Sequence, residues 1–184
     1  MSVVVRKAVK SDLDAIEQLY DDLNDSIVGV VEGPRWVKGV YPLRSDAEEG
    51  FAVDCLYVAE MDGVIAGTVM YLNEEELSAP YKTVKWQKDL PAQETFVIHV
   101  LAVHPKFQGK GVGKALLDHA CVVGKEKGIK AVRLDVYETN VPAIRLYEKC
   151  GFKFVGMVDL GLEEIYGLKW YKAFEKLIEE NVEL

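Results

Sequence analysis

An α/β domain built on a sheet of mixed direction is what this sequence predicts, on three observations. Segments of strand character alternate with segments whose apolar residues recur at helical spacing. The dipeptide Asp62-Gly63 sits between two such strands and signals a tight hairpin, which demands antiparallel neighbours there. Thr95 to Val103 is nearly all apolar apart from His99, the pattern of a central strand covered on both faces. The chain has 184 residues, enough to bury a core without disulfides or metal. No composition break or linker divides it, so residues 1–184 are expected to form one domain.

The elements follow in order. Val3 to Ala8 reads as a strand. Ser11 then caps a helix to about Asn24, with Leu13, Ile16, Leu19, Tyr20 and Leu23 on one face. Asp25 to Leu43 is a looser stretch carrying glycines, prolines, Trp36 and Tyr41. Ser45 with Glu48 has the spacing of a capping box for a short helix to about Val53. Cys55 to Glu60 and Val64 to Leu72 are the strands of the hairpin. Asn73 to Gln93 is a polar connection with room for a helical turn, and a connection of that length in a domain is usually functional. After the strand Thr95 to Val103, Pro105 and a glycine-rich turn lead into a helix from about Gly111 to Lys127, with Val112, Leu116, Ala120 and Val123 inward. Gly128 ends that helix. Ala131 to Tyr137 is a strand, Asn140 begins a short helix to Lys149, and Gly151 ends it. Phe152 to Val158 and Leu168 to Leu177 complete the set as strands, although a helix fits the last segment too.

Composition narrows the function. Apolar residues make up 49% and charged residues 28%, which excludes a disordered chain. No apolar run approaches the ~18 residues of a spanning helix, and the first residues lack the apolar stretch of a signal peptide. No membrane association is expected. The net charge is -8, so broad nucleic-acid binding through a basic surface is not expected either, and cationic substrates are mildly favoured. Cys55, Cys121 and Cys150 form no CxxC pair, and His99, His104 and His119 have no cysteine neighbours at ligand spacing. Reduced thiols, a cytoplasmic setting and no metal site are the expectation.

The chemistry concentrates in Gln108-Gly109-Lys110-Gly111-Val112-Gly113-Lys114. It joins a buried strand to an amphipathic helix. Glycines there let the backbone turn sharply and approach a ligand with several N–H groups pointing the same way. The helix N-terminus and nearby lysines add positive charge. Phosphate or diphosphate fits. A P-loop does not, because its first glycine would fall at Gln108 and its hydroxyl residue at Ala115. A dinucleotide fingerprint starting at Gly109 fails as well, because its third glycine would fall at Lys114.

One pattern fits. Q-x-x-G-x-G over Gln108 to Gly113, after a strand ending Val103-His104-Pro105, resembles the acyl-CoA signature of the GNAT superfamily of N-acetyltransferases. The run from Asn140 through Ala143, Leu146 and Tyr147 to Gly151-Phe152 is similar to the second half of that family's pattern. The resemblance is specific over about residues 95–158 and compatible over the first 94.

The resemblance implies a mostly antiparallel central sheet flanked by helices, the acyl-CoA N-acyltransferase fold. It implies acetyl-CoA as co-substrate and no metal. The pantetheine arm is expected against the backbone of Leu101, Ala102 and Val103, almost as an added strand. The diphosphate is expected on the N–H groups of Gly109, Lys110, Gly111, Val112, Gly113 and Lys114, with Gln108 at the start of the motif. Asn140 is expected to bond pantetheine, or to serve as a plain helix cap, or both. Tyr147 would protonate the leaving thiolate; a core tyrosine is the other reading. Asp135 and His99 are candidates for the group that takes the proton of the attacking amine. A structural ion pair remains open for Asp135, and a packed core histidine for His99. The acceptor is a small-molecule or peptide amine, and a homodimer is possible. A non-catalytic acyl-CoA-binding module on the same fold is the alternative.

Overall fold

The structure, a computed structural model, describes residues 2–179. Seven strands form one sheet in the order β1-β2-β3-β4-β5-β7-β6. In chain order they are β1 (Val3–Lys7), β2 (Leu56–Met61), β3 (Val64–Leu72), β4 (Thr95–Val103), β5 (Ala131–Tyr137), β6 (Lys153–Asp159) and β7 (Trp170–Leu177). The helices are α1 (Leu13–Ser26), α2 (Arg44–Ala52), α3 (Val112–Glu126), α4 (Val141–Lys149) and α5 (Glu163–Tyr166). β1 and β2, β2 and β3, β5 and β7, and β6 and β7 pair antiparallel. β4 and β5 pair parallel through Thr95↔Ala131, Phe96↔Val132 and Val97↔Arg133. The mixed, mostly antiparallel sheet expected from the sequence is therefore present, and the last segment is a strand.

The chain gathers into two compact units. The first holds the chain up to Val31, Arg35–Tyr71 and His99–His119. The second holds Glu32–Pro34, Leu72–Ile98 and the chain from Ala120 on.

In the first unit, the α1 face of Leu13, Ile16, Leu19, Tyr20 and Leu23 is buried, as its period demands. The helix entry differs from expectation. Asp12, not Ser11, is the anchor: its carboxylate accepts the Val9 N–H at 2.7 Å and both terminal nitrogens of Arg6, at 2.7 and 3.0 Å. A carboxylate takes several donors at once where a serine hydroxyl takes one. That guanidinium holds the Asp12 carboxyl below its ordinary range. The entry to α2 shifts likewise, by two residues. Asp46 accepts the Leu43 N–H at 2.6 Å, so the reciprocal cap is Leu43 with Asp46 rather than Ser45 with Glu48. Arg44 then ties α2 to α1 through Asp14 and Glu17, at 2.7 and 2.8 Å. The hairpin signal is realised directly: Asp62 and Gly63 have φ of 53° and 77°, and Met61 pairs with Val64, the positive φ pair of a tight hairpin turn.

In the second unit, β5 runs between its neighbours with Ala131, Val132, Leu134 and Val136 buried, together with Arg133. Two 3-10 turns, Tyr81–Thr83 and Ala92–Glu94, occupy the long connection. The short α5 was not visible in the sequence, since four residues carry no helical period. Among the described residues no helix is long and apolar enough to cross a membrane, and Cys55, Cys121 and Cys150 are free of disulfides.

Candidate active site

β4 changes character halfway. Thr95 to Ile98 are all buried, whereas His99, Leu101 and Val103 are half-buried and alternate with buried Val100 and Ala102. One face of the strand is thus only partly covered there. This corrects the expectation of a buried His99. Its ring makes no hydrogen bond or ion pair with the described residues, so it is not a satisfied core histidine either. Val100 sits between these residues with φ of 46°. A β-branched residue in the left-handed region is strained, on the order of 1–3 kcal/mol, and such strain concentrates at functional sites.

The strand end is fastened. His104 accepts the Lys106 N–H on Nδ1 at 3.1 Å, and its Nε2 lies 2.9 Å from Asp22 Oδ2 on α1. With Nδ1 as acceptor the proton sits on Nε2, which donates to Asp22. Four residues after His104 the turn begins. Gln108, Gly109, Lys110 and Gly111 are exposed. Gly109 and Gly111 have φ of 74° and 85°. A Cβ added at either would meet no atom within 4 Å. The glycines are therefore needed for backbone conformation, not for room inside the chain. Lys110 lies over the Phe107 ring at 5.2 Å.

Val112 and Gly113 are buried in the first turn of α3. The first bond of that helix joins the Ala115 N–H to the Gly111 carbonyl at 2.9 Å. The N–H groups of Val112 and Gly113 stand in the first turn, ahead of that bond. They give an anion backbone donors and the positive end of a 15-residue helix. Lys114 is exposed and pairs with Asp118 one turn on, so part of its charge is already answered. Gly67 fits the helix to the sheet: a Cβ there would meet Val112 at 2.7 Å and the Ala102 carbonyl at 3.1 Å.

In the second unit, Asn140 caps α4. Its Oδ1 accepts the Ala143 N–H at 3.4 Å, and Pro142 follows in the first turn. Tyr147 lies seven residues on, buried, with its ring 6.1 Å from those of Phe152 and Phe174. Burial pushes its phenol well above the ordinary value, and the Asp135 charge and Cys150 add to the rise. The hydroxyl is thus protonated at neutral pH.

Asp135 is half-buried near the end of β5 and accepts the Tyr81 hydroxyl on Oδ2 at 2.7 Å. It is not an exposed strand position. Its charge also reaches Tyr171, whose phenol is pushed up to about 12, first by burial and then by Asp135. Tyr81 rises well above its ordinary value for the same two reasons. The carboxylate therefore sits among three phenols that all keep their protons.

Sequence reasoning passed over Tyr81, and it assigned no role to Arg133 or Glu175, which are fully buried. Charged residues inside otherwise apolar strands carried the signal, since such groups are buried only with partners. Trp86 stacks on Arg133 with the guanidinium carbon 4.3 Å from the ring. Tyr71 is core, its hydroxyl donating to the Leu116 carbonyl at 2.6 Å. No cluster of metal-ligating side chains occurs among the described residues.

Residues 16–152 match the model of the acetyltransferase (GNAT) family. An uncharacterised N-acetyltransferase of Methanocaldococcus jannaschii is 27% identical over 151 residues, covering 81% of this chain and 60% of that protein. The spermine/spermidine N(1)-acetyltransferase of Bacillus subtilis is 37% identical over 67 residues, covering 34% of this chain and 42% of that protein. The match thus spans less than two thirds of either relative. A GNAT-family acetyltransferase structure from Streptococcus agalactiae superposes with a TM-score of 0.76 at 21% identity, covering 97% of this chain and 96% of that one.

Proposed function

The chain belongs to the acetyltransferase (GNAT) family, and from that premise we propose that it transfers an acetyl group from acetyl-CoA to a primary amine by direct attack. The observation that carries the proposal is the turn at Gly109 and Gly111. Two left-handed glycines deliver the chain into the N-terminus of α3, the positive end of a 15-residue helix. Open space surrounds both, which fits a diphosphate laid on backbone donors from Gly109 to Lys114, with Gln108 at their edge. The partly covered face of β4 at Leu101 and Val103, with Ala102 between them, is the surface for the pantetheine arm.

The roles in transfer follow from chemistry. The amine must lose a proton, because a lysine-like ammonium has a reference pKa near ~10.4. Asp135 serves this role or holds the ammonium, and His99 serves it through water. A backbone N–H just past Val100 stabilises the oxyanion. Tyr147 donates to the sulfur as it leaves. Its raised pKa favours a strong hydrogen bond to the thiolate over complete proton transfer, since thiols titrate near ~8.5. Asn140 adds a polar contact to pantetheine while it caps α4.

A small cationic amine is the acceptor class. The charge of -8 favours a cation, and the named polyamine activity of the Bacillus subtilis relative points the same way. Cysteines that form no disulfide are in keeping with a reducing cytoplasm. The test is release of CoA thiol from acetyl-CoA with spermidine, lysine and a peptide bearing a free N-terminus. At least one amine is expected to raise release clearly above hydrolysis. Silence across the panel would sink the proposal.

A further inference from the structure

The polar cluster under Trp86 is expensive and does not earn its keep as stability alone. Arg133 and Glu175 face each other in register on β5 and β7, with Nε and Oε1 2.9 Å apart and both side chains at 0% exposure. Arg133 Nη1 is buried with no hydrogen-bond partner, an orphan that a folded chain normally avoids. Replacing such a pair by apolar residues of similar volume is often neutral or stabilising. What an apolar pair lacks is its contacts to one segment, residues 81–88.

Those contacts are specific. Glu175 Oε2 accepts the Gln87 N–H at 2.8 Å, and the Glu175 carbonyl accepts Gln87 Nε2 at 3.2 Å. Arg133 Nη2 donates to the Lys88 carbonyl at 3.1 Å, while Trp86 covers the guanidinium. Trp86 Nε1 in turn donates to the Tyr81 carbonyl at 3.0 Å, and the two rings lie 5.2 Å apart. At the head of this chain of contacts the Tyr81 hydroxyl meets Asp135, two residues from Arg133 on the same strand. Residues two apart on a strand share a face, so the segment straps one face of β5.

We propose that the buried Arg133–Glu175 pair fixes the 81–88 strap in order to seat Tyr81, and that Tyr81 is a positioning residue that orients the Asp135 carboxylate for acetyl transfer. This rests on the role given to Asp135 above. A carboxylate on a strand turns about its side-chain bonds. One short O–H donor from a buried phenol selects one orientation, and small misplacements of a reacting group cost rate steeply.

The test compares Tyr81→Phe, the double change Arg133→Met with Glu175→Leu, and all three together. Spermidine is the first acceptor, with the best amine of the panel in its place if it is better. Tyr81→Phe should lower kcat at least about tenfold, with acetyl-CoA affinity and stoichiometry by calorimetry unchanged. The apolar pair should show the same loss, with a Tm at or above wild type. Adding Tyr81→Phe to it should cost nothing further. Wild-type kcat in either variant overturns the inference. So does a loss in the apolar pair that falls together with Tm and binding stoichiometry, which marks a merely structural role. If the apolar pair does not fold, Tyr81→Phe decides by the same kcat and affinity criteria. Asp135→Asn separates the two failures. Loss in Asp135→Asn with none in Tyr81→Phe defeats this inference alone, whereas wild-type kcat in Asp135→Asn defeats the role of Asp135 itself. Hydrogen exchange reads the strap without any acceptor: the hydrogen-bonded amides of Val84, Trp86 and Gln87 should be protected in wild type and lose protection in the apolar pair, and unchanged protection would contradict it.

Discussion

The glycine turn of the first unit and the tyrosine strap of the second are built in opposite ways. The turn uses backbone: two residues of positive φ, a helix start and exposed side chains. The strap uses side chains: two fully buried charges and a buried phenol on a carboxylate. A backbone site tolerates change in its side chains and not in its φ angles. A side-chain site has the reverse sensitivity. The contrast shows where each unit should break.

Glu175→Ala should have the largest effect. It leaves the Arg133 charge buried alone, which costs about 3–5 kcal/mol, and denaturant unfolding would measure it. A loss under about 1 kcal/mol would mean that water reaches the guanidinium. Tyr147→Phe comes next. Removing a proton donor from the leaving group should lower kcat at least about 100-fold, or ~2.7 kcal/mol, while calorimetry finds acetyl-CoA binding intact. Gly111→Val should cost about 1–2 kcal/mol of stability, because a side chain is forced into the left-handed region, and it should weaken acetyl-CoA binding as well. Lys114→Gln should be the mildest. Its pair with Asp118 is exposed and one helical turn apart, so stability should change by less than about 0.5 kcal/mol. A large change there would say that the turn depends on side-chain charge after all.

The same contrast governs what the sequence reveals. The turn was legible because its parts are neighbours: Gln108 to Lys114 carry both the glycine spacing and the start of α3. Asn140 and Tyr147 were legible as the cap of a short helix and a residue within it, seven positions on. The hairpin at Asp62-Gly63 was legible because the turn demands those residue types. The caps were misplaced, by one residue at Ser11 and by two at Ser45, because Asp12 and Asp46 compete for the same role and accept more donors. His99 was misjudged because an apolar run does not say which face is covered, and at His99, Leu101 and Val103 one face is only half-covered. The strap stayed hidden for a different reason. Tyr81 and Asp135 lie 54 residues apart, and Gln87 and Glu175 lie 88 apart. Only the register of β5 with β7, and the docking of the connection on that face, bring them together, and neither leaves a periodic trace.

The central claim is that the turn at Gly109–Gly111 is an acetyl-CoA site. Calorimetric titration of the purified protein with acetyl-CoA tests it most directly, beside Gly111→Asp, which adds a strained side chain and a negative charge where the diphosphate is placed. The account predicts saturable binding of one acetyl-CoA per chain in the wild type and none in Gly111→Asp. No binding by the wild type, or equal binding by both, would contradict it.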